Sequence, residues 1–259
     1  MKKQETITHI VNWLNHYSEQ SGTKGFVIGI SGGIDSALTS TLCAMTGKPV
    51  ICLNLPIHQH KDEYDRGHEH ITWLKIKYQN VTSHEVELTE TFHSIYNAFP
   101  EDIRDWLTMA NTRARLRMTT LFAFAGHHKM LVAGTGNKIE DFGIGFFTKY
   151  GDGGVDISPI ADLMKSEVFA LAKELEIIES IQVAPPTDGL FADSRSDEDQ
   201  IGATYNELEW AMKFIANPHN FETLNERQKL VLDIYTTRNK VNQHKMTPIP
   251  VCIIPDELK

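Results

Sequence analysis

The sequence predicts a single α/β domain, a doubly wound parallel sheet flanked by helices. Three observations carry this. Short apolar runs alternate with amphipathic helical stretches along the chain, the pattern of βαβ units. The runs are apolar at consecutive positions, as strands buried on both faces require. Glycine-rich segments follow directly on two of the runs, where a parallel sheet opens its carboxyl-end crevice to ligands.

The elements follow in order. Residues 4–19 are expected to be helical, with Ile7, Ile10, Val11 and Leu14 on one face. Residues 26–30 suit a buried strand. A helix follows from Ser36 and is stopped by Gly47 and Pro49. Residues 50–55 are a second buried strand, 63–78 a helix and 84–88 a weaker third strand. A long helix over 112–127 carries Leu116, Leu121, Phe122 and Phe124, and a strand over 130–133 ends at Gly134. Helix 165–175, an irregular polar stretch 184–200, and helices over 205–215 and 222–235 complete the chain.

Of 259 residues 41% are apolar, enough for a sizeable core. With 25 basic against 34 acidic residues the net charge is -9. That argues against nucleic-acid binding, which needs a basic surface to displace counterions. Anionic small molecules need only local positive charge. Cys43, Cys52 and Cys252 are odd in number and lack C-x-x-C spacing, so reduced thiols are expected rather than a disulfide framework. The polar start and the absence of a long apolar run point to a cytoplasmic protein without signal peptide or membrane span. The strings His58-Gln59-His60 and His68-Glu69-His70 place histidines at i and i+2, which diverge on a helix. They are expected at the surface rather than as zinc pairs.

The first expected strand runs into Ser31-Gly32-Gly33-Ile34-Asp35-Ser36. Two glycines allow a tight turn and close backbone approach. Backbone N–H groups there and at the following helix start favour an anion, and Ser31 and Ser36 add hydroxyls. Asp35 would repel phosphate unless a divalent cation stands between them. A plain strand–turn–helix junction capped by Asp35 or Ser36 is the competing explanation. It accounts less well for the whole hexapeptide in this position. No Gly-Lys-Ser/Thr follows, so this is not a Walker A loop.

This hexapeptide resembles the S-G-G-x-D-S pyrophosphate loop of the N-type ATP pyrophosphatases, which have an adenine nucleotide alpha hydrolase-like fold. The resemblance implies that Ser31, Gly32, Gly33, Asp35 and Ser36 bind ATP, which is cut between its α- and β-phosphates. Further segments are similar to those of ammonia-dependent NAD synthetases. Arg113, Arg115 and Arg117 alternate and cannot share one helix face, but the string from Asn111 to Met118 resembles the family's N-x-[KR]-A-R-x-R-M. That implies contacts from Asn111 and Arg115 to deamido-NAD⁺. In Gly134-Thr-Gly-Asn-Lys-Ile-Glu140, Ile139 replaces the third glycine of a dinucleotide fingerprint. The resemblance implies instead that Thr135 binds ATP and that Glu140 joins Asp35 on Mg²⁺. Two carboxylates on one hard cation suit that ion. The commoner family form has Asp-His after the Thr and is one residue shorter before the next motif.

The stretch from Gly145 to Asp156 matches G-F-F-T-K-[FY]-G-D-G-[GA]-x-D almost throughout. It implies that Phe147, Lys149, Asp152 and Asp156 line the deamido-NAD⁺ site, the two acids beside the nicotinate end and the incoming ammonium. By the same resemblance Lys165 and Thr187 hold ATP phosphates, and His244 and Lys245 lie near the site. Lys165 heads an expected helix, where a cation needs an anionic partner to offset the dipole. Asn54 stands where many members have Arg, and the 55–60 loop departs from L-P-Y-G. The catalytic set so implied is Asp152, Asp156 and Lys165, acting on deamido-NAD⁺, ATP and ammonia with Mg²⁺ in a homodimer. A tRNA thiolase or lysine–tRNA ligase would carry a C-x-x-C pair or a basic appended domain. A non-catalytic nucleotide-binding regulator would have no use for two metal carboxylates and a phosphate lysine together. Residues 141–155 and 185–200, rich in Gly, Asp, Ser and Pro, are expected to close over bound substrates.

Overall fold

The computed structural model describes residues 1–186, 196–217 and 223–259. In chain order the elements are Lys3–Gln20 (α1), Phe26–Gly29 (β1), Ile34–Met45 (α2), Val50–Asn54 (β2), Lys61–Lys77 (α3), Val81–Glu85 (β3), Thr89–Ala98 (α4), Trp106–His128 (α5), Leu131–Val132 (β4), a π-helical turn Ile139–Ile144, Lys165–Glu174 (α6), Glu179–Gln182 (α7), Asp197–Ile201 (α8), Tyr205–Ala216 (α9) and Glu226–Met246 (α10). The sheet is parallel throughout with strand order β3-β2-β1-β4. An isolated parallel bridge between Ala133 and Ile157 extends it one step past β4.

The central strands are apolar at successive positions because alternate side chains enter different cores. Phe26, Ile28, Val50 and Cys52 pack with residues of α1, α2, α3, α6 and α7. Val27, Ile51, Leu53 and Val132 pack on the opposite face with α4 and α5. A third cluster joins the π-turn to α8, α9 and α10 around Ile139, Ile144, Leu208 and Tyr235.

Several expected bounds move, each for a local reason. β3 covers 81–85 rather than 84–88, with Val81 opposite Val50. It is an edge strand in which only Val81 is buried, so its apolar signal was weak. Leu88 leaves the sheet, donating to the Pro56 carbonyl at 3.1 Å. α5 starts at Trp106 rather than 112, where the Asp105 carboxylate accepts from the Thr108 N–H at 3.0 Å as an N-cap. α4 (Thr89–Ala98) is a helix beyond the expected elements. α10 continues to Met246 through a polar stretch with no apolar periodicity. Its Asn239 and Asn242 side chains donate to the carbonyls of Gly143 at 2.7 Å and Ile144 at 2.8 Å.

The expectation of surface histidines holds for His58 and His60 and is overturned for His70, which is fully buried. Its Nε2 lies 2.9 Å from the Ser40 hydroxyl of α2. It sits on the inward face of α3, with Ile71 and Leu74. Burial pulls its pKa from 6.5 to about 3. The unfolded chain therefore binds a proton that the folded chain refuses between those values. Stability is fully present above pH 6.5 and is lost as the pH falls toward 3. We expect His70→Gln to flatten the acid side of the stability curve by up to about 1.4 kcal/mol per pH unit. Urea unfolding of both proteins at neutral and mildly acid pH checks this. Parallel curves would remove His70 as the source.

Candidate active site

The strand order reverses at β1, which is flanked by β2 on one side and β4 on the other. Ligands bind beyond the carboxyl ends of strands at such a point. A cavity of about 1010 Å³ opens there, lined by the 31–36 loop, one face of α5, and residues from both the π-turn and α10.

The loop after β1 is shaped by its glycines and closed on itself by its hydroxyls. Gly32 has φ 84°, the left-handed region that glycine alone enters freely. A Cβ on it would lie 2.2 Å from the Glu63 carbonyl oxygen. The Gly33 N–H donates to Ser31 Oγ at 3.1 Å, and the Ser36 hydroxyl donates to the Gly33 carbonyl at 2.9 Å.

Asp35, in the first turn of α2, and Glu140, in the π-turn, converge on Lys165. Its Nζ is 2.6 Å from Asp35 Oδ2 and 3.0 Å from Glu140 Oε1. The dipole conflict at the start of α6 is resolved by these two carboxylates. Lys165 is 3% exposed, and both carboxylates keep a small open face. Burial raises the Asp35 pKa against the pull of Lys165. Burial acts the same way on Glu140, but the Lys165 charge and hydrogen bonds from Tyr205, Lys165 and Asn137 outweigh it and hold that pKa low. Burial also works against the Lys165 ammonium, which the two carboxylates nevertheless keep firmly charged.

Sequence reasoning missed three residues here. Asn137 is fully buried; its Nδ2 donates to Asp35 Oδ1 at 3.1 Å, and its Oδ1 accepts from the N–H groups of Ile139 and Glu140. An Asn just ahead of a helical turn is a cap signal that could have found it. Tyr205 donates to Glu140 at 2.5 Å, and its hydroxyl oxygen lies 3.2 Å from Asp197; nothing local marks it, since it arrives from α9. Asp141 lines the cavity, where burial first and then Glu140, Asp152 and Asp35 push its pKa up to about 8. The π-turn holding Glu140 and Asp141 closes its hydrogen bonds over one more residue than an α-helix does.

The opposite wall comes from α5, the 145–156 loop and the end of α10. Thr148 Oγ1 donates to Asn111 Oδ1 at 2.6 Å, and Arg115 Nε donates to the Lys149 carbonyl at 3.3 Å. Lys149 Nζ donates to the His244 carbonyl at 2.7 Å. Lys245 Nζ donates to the Phe147 carbonyl at 2.7 Å and lies 4.9 Å from that ring's centre. Asp152 accepts from the Thr148 N–H at 2.9 Å. It stays open to the cavity, yet the surrounding protein raises its pKa. Thr135 lines the same cavity. Asn111, Arg115, Phe147, Lys149, Asp152, His244 and Lys245 are thus brought together. Asp156 does not join them: it is outside the cavity lining, and its carboxylate accepts from the Val132 N–H at 2.8 Å. Thr187 lies outside the described residues. Asn54 also faces elsewhere, with Nδ2 3.0 Å from His68 Nε2 and 3.4 Å from Glu85.

A family model described as NAD synthase matches residues 6–249. The NH(3)-dependent NAD(+) synthetase of Mycoplasma genitalium is 38% identical over 229 residues, 88% of each chain. That of Mesoplasma florum is 34% identical over 100% of this chain and 99% of its own. Among solved structures, the NMN synthetase from Francisella tularensis superposes with TM-score 0.84 at 30% identity, covering 99% of both chains. The NH3-dependent NAD synthetase from Campylobacter jejuni gives TM-score 0.80 at 24% identity over 98% of this chain, a likeness of fold.

Proposed function

We propose, from the premise that this chain belongs to the NAD synthase family, that it amidates deamido-NAD⁺ with ammonia while ATP is split into AMP and pyrophosphate. The observation that carries this is the convergence of Asp35, Glu140 and Lys165 beside a glycine loop, across one cavity from the Asn111–Asp152 wall. A nicotinate carboxylate oxygen attacks the α-phosphorus, the bond to the β-phosphate breaks, and pyrophosphate leaves. Loop N–H groups and Lys165 stabilise the charge that develops on it. Ammonia then attacks the acyl carbon and AMP leaves with the carboxylate oxygen. The proton shed by the attacking nitrogen passes to a cavity carboxylate or water, and no protein nucleophile is needed.

Two buried carboxylates aimed at one point, with all-oxygen donors, fit Mg²⁺. Among the described residues no larger group of potential metal ligands occurs, so phosphate oxygens and water would complete the shell. When bound, the ion would neutralise the polyphosphate. Asp35 and Glu140 would hold it, with Asn137 and Tyr205 fixing their orientation. Trp106 and Leu107 line the cavity yet are 49% and 55% exposed, an apolar rim that suits cover by a second copy in a homodimer. Among the described residues, no helix is long and apolar enough to cross a membrane.

The test is AMP release with ATP and ammonium, in the presence and absence of deamido-NAD⁺. Release indifferent to the acceptor would defeat the reading. The likeness to an NMN synthetase at 30% identity supports a second reading, in which nicotinate mononucleotide is the acceptor. Comparing kcat/KM for the two nucleotides decides between them. For Asp152→Asn we expect amidation to fall by about 10²-fold, the range for one lost charge-stabilising contact. ATP affinity should change little. Equal amidation rates would reduce Asp152 to a brace for the Thr148 N–H.

A further inference from the structure

We propose that Arg66 of α3, to which the family resemblance gives no part, is a further pyrophosphate-binding residue of this site. This rests on the ATP-cleaving reading and adds a residue from the far side of the loop. A loop that binds an anion through its N–H groups must turn its carbonyl oxygens elsewhere, because a carbonyl aimed at phosphate repels it. Two carbonyls of this loop are held from outside. Gln59 Nε2 donates to the Ser31 carbonyl at 3.0 Å, and Arg66 Nε donates to the Gly32 carbonyl at 3.2 Å. Both side chains line the cavity.

The helix that carries Arg66 is fixed against the loop. A Cβ on Gly32 would meet the Glu63 carbonyl oxygen at 2.2 Å and the Gly67 nitrogen at 3.2 Å. Backbone thus lies on backbone, and Arg66 sits between those two contact points in sequence. Its guanidinium has five donors in a planar fork. Only Nε has a hydrogen-bond partner among the described residues, which leaves the terminal pair for a ligand lying in the cavity.

Charge balance favours the same assignment. The Lys165 cation is already engaged by Asp35 and Glu140, so that trio sums to one negative charge. Even beside a Mg²⁺ held by Asp35 and Glu140, a polyphosphate keeps excess negative charge, which a cation not already paired would offset. Arg66 makes no ion pair among the described residues and is tethered to the loop itself. A guanidinium anchored through Nε presents two parallel N–H donors, which match phosphate oxygens better than an ammonium does.

The experiment is calorimetric binding of pyrophosphate and, separately, of AMP to wild-type protein, Arg66→Gln and Arg66→Lys, each with EDTA and with Mg²⁺. We expect Arg66→Gln to weaken pyrophosphate about 10- to 100-fold, the range for a lost hydrogen bond to a charged group. AMP binding should be unchanged. Arg66→Lys should fall between, since it keeps the charge without the fork. In turnover the KM for ATP should rise more than that for the nicotinate substrate. Pyrophosphate affinity within twofold of wild type in Arg66→Gln overturns the assignment. A parallel loss of pyrophosphate and AMP also overturns it, because collapse of the loop shape would weaken both. If Arg66→Gln does not fold, Arg66→Lys decides on the same twofold criterion. Wild-type protein that binds pyrophosphate but amidates neither nicotinate nucleotide ends the functional reading and leaves these binding arms standing.

Discussion

Lys165→Met should lose about 10²- to 10³-fold in kcat, and its stability should become dependent on Mg²⁺. The wild-type ammonium sits 2.6 Å from Asp35 and 3.0 Å from Glu140 with only 3% of its surface exposed. Removing it leaves two buried carboxylates facing each other, which typically costs about 3–5 kcal/mol. A divalent cation bound between them would restore much of that. The loss in rate comes from a different role, stabilisation of the departing pyrophosphate, which the metal cannot fully replace. Thermal unfolding of the variant in EDTA and in millimolar Mg²⁺ separates the two effects. A midpoint unmoved by Mg²⁺ in the variant would show that Asp35 and Glu140 do not share an ion. A near-normal rate would remove Lys165 from the chemistry.

Gly32→Ala should cost at least about 10²-fold in kcat/KM for ATP while leaving a folded protein. Two penalties combine at this position. The left-handed φ of 84° costs an alanine roughly 1–2 kcal/mol. The added Cβ would also lie 2.2 Å from the Glu63 carbonyl oxygen, backbone that cannot rotate aside. The loop must move away from α3, carrying its N–H groups off the phosphate position. Displacements of about 1 Å in a positioned site cost about 10²-fold. Gly22→Ala is the internal control. Its φ is 65° but nothing lies within 4 Å of the new Cβ, so it should show the strain and no loss of activity. Equal kinetics for the two variants would mean that close packing of α3 on the loop does not matter.

Both predictions draw on residues that were legible in the sequence and on contacts that were not. Sequence by itself determined the alternation of buried strands and helices, because a strand covered on both faces must be apolar at consecutive positions. Phe26–Gly29 and Val50–Asn54 show that pattern and were placed within a residue or two. It also marked the 31–36 loop, since local backbone geometry and local chemistry coincide there: glycine for φ, hydroxyls for phosphate, an acid for a cation. The 145–156 loop was marked in the same way.

The tertiary structure decided what depends on neighbours distant in the chain. Lys165 reads locally as a lysine at a helix start; only the approach of α6 to α2 and the π-turn makes it the partner of two acids. Asp156 reads like Asp152, four residues away in the same motif. The parallel bridge from Ala133 to Ile157 turns it onto the Val132 N–H instead. His70 is buried because α3 presses that face on Ser40, and Tyr205 reaches Glu140 across 65 residues of chain. The last third of α10 has no apolar period to announce it, and its asparagines and Lys245 fasten it to the carbonyls of 143, 144 and 147. Periodicity and motif record what a residue does for its own segment. Burial, charge pairing and the direction of a carboxylate are set by the packing of segments against one another, and there the sequence is silent until the chain is folded.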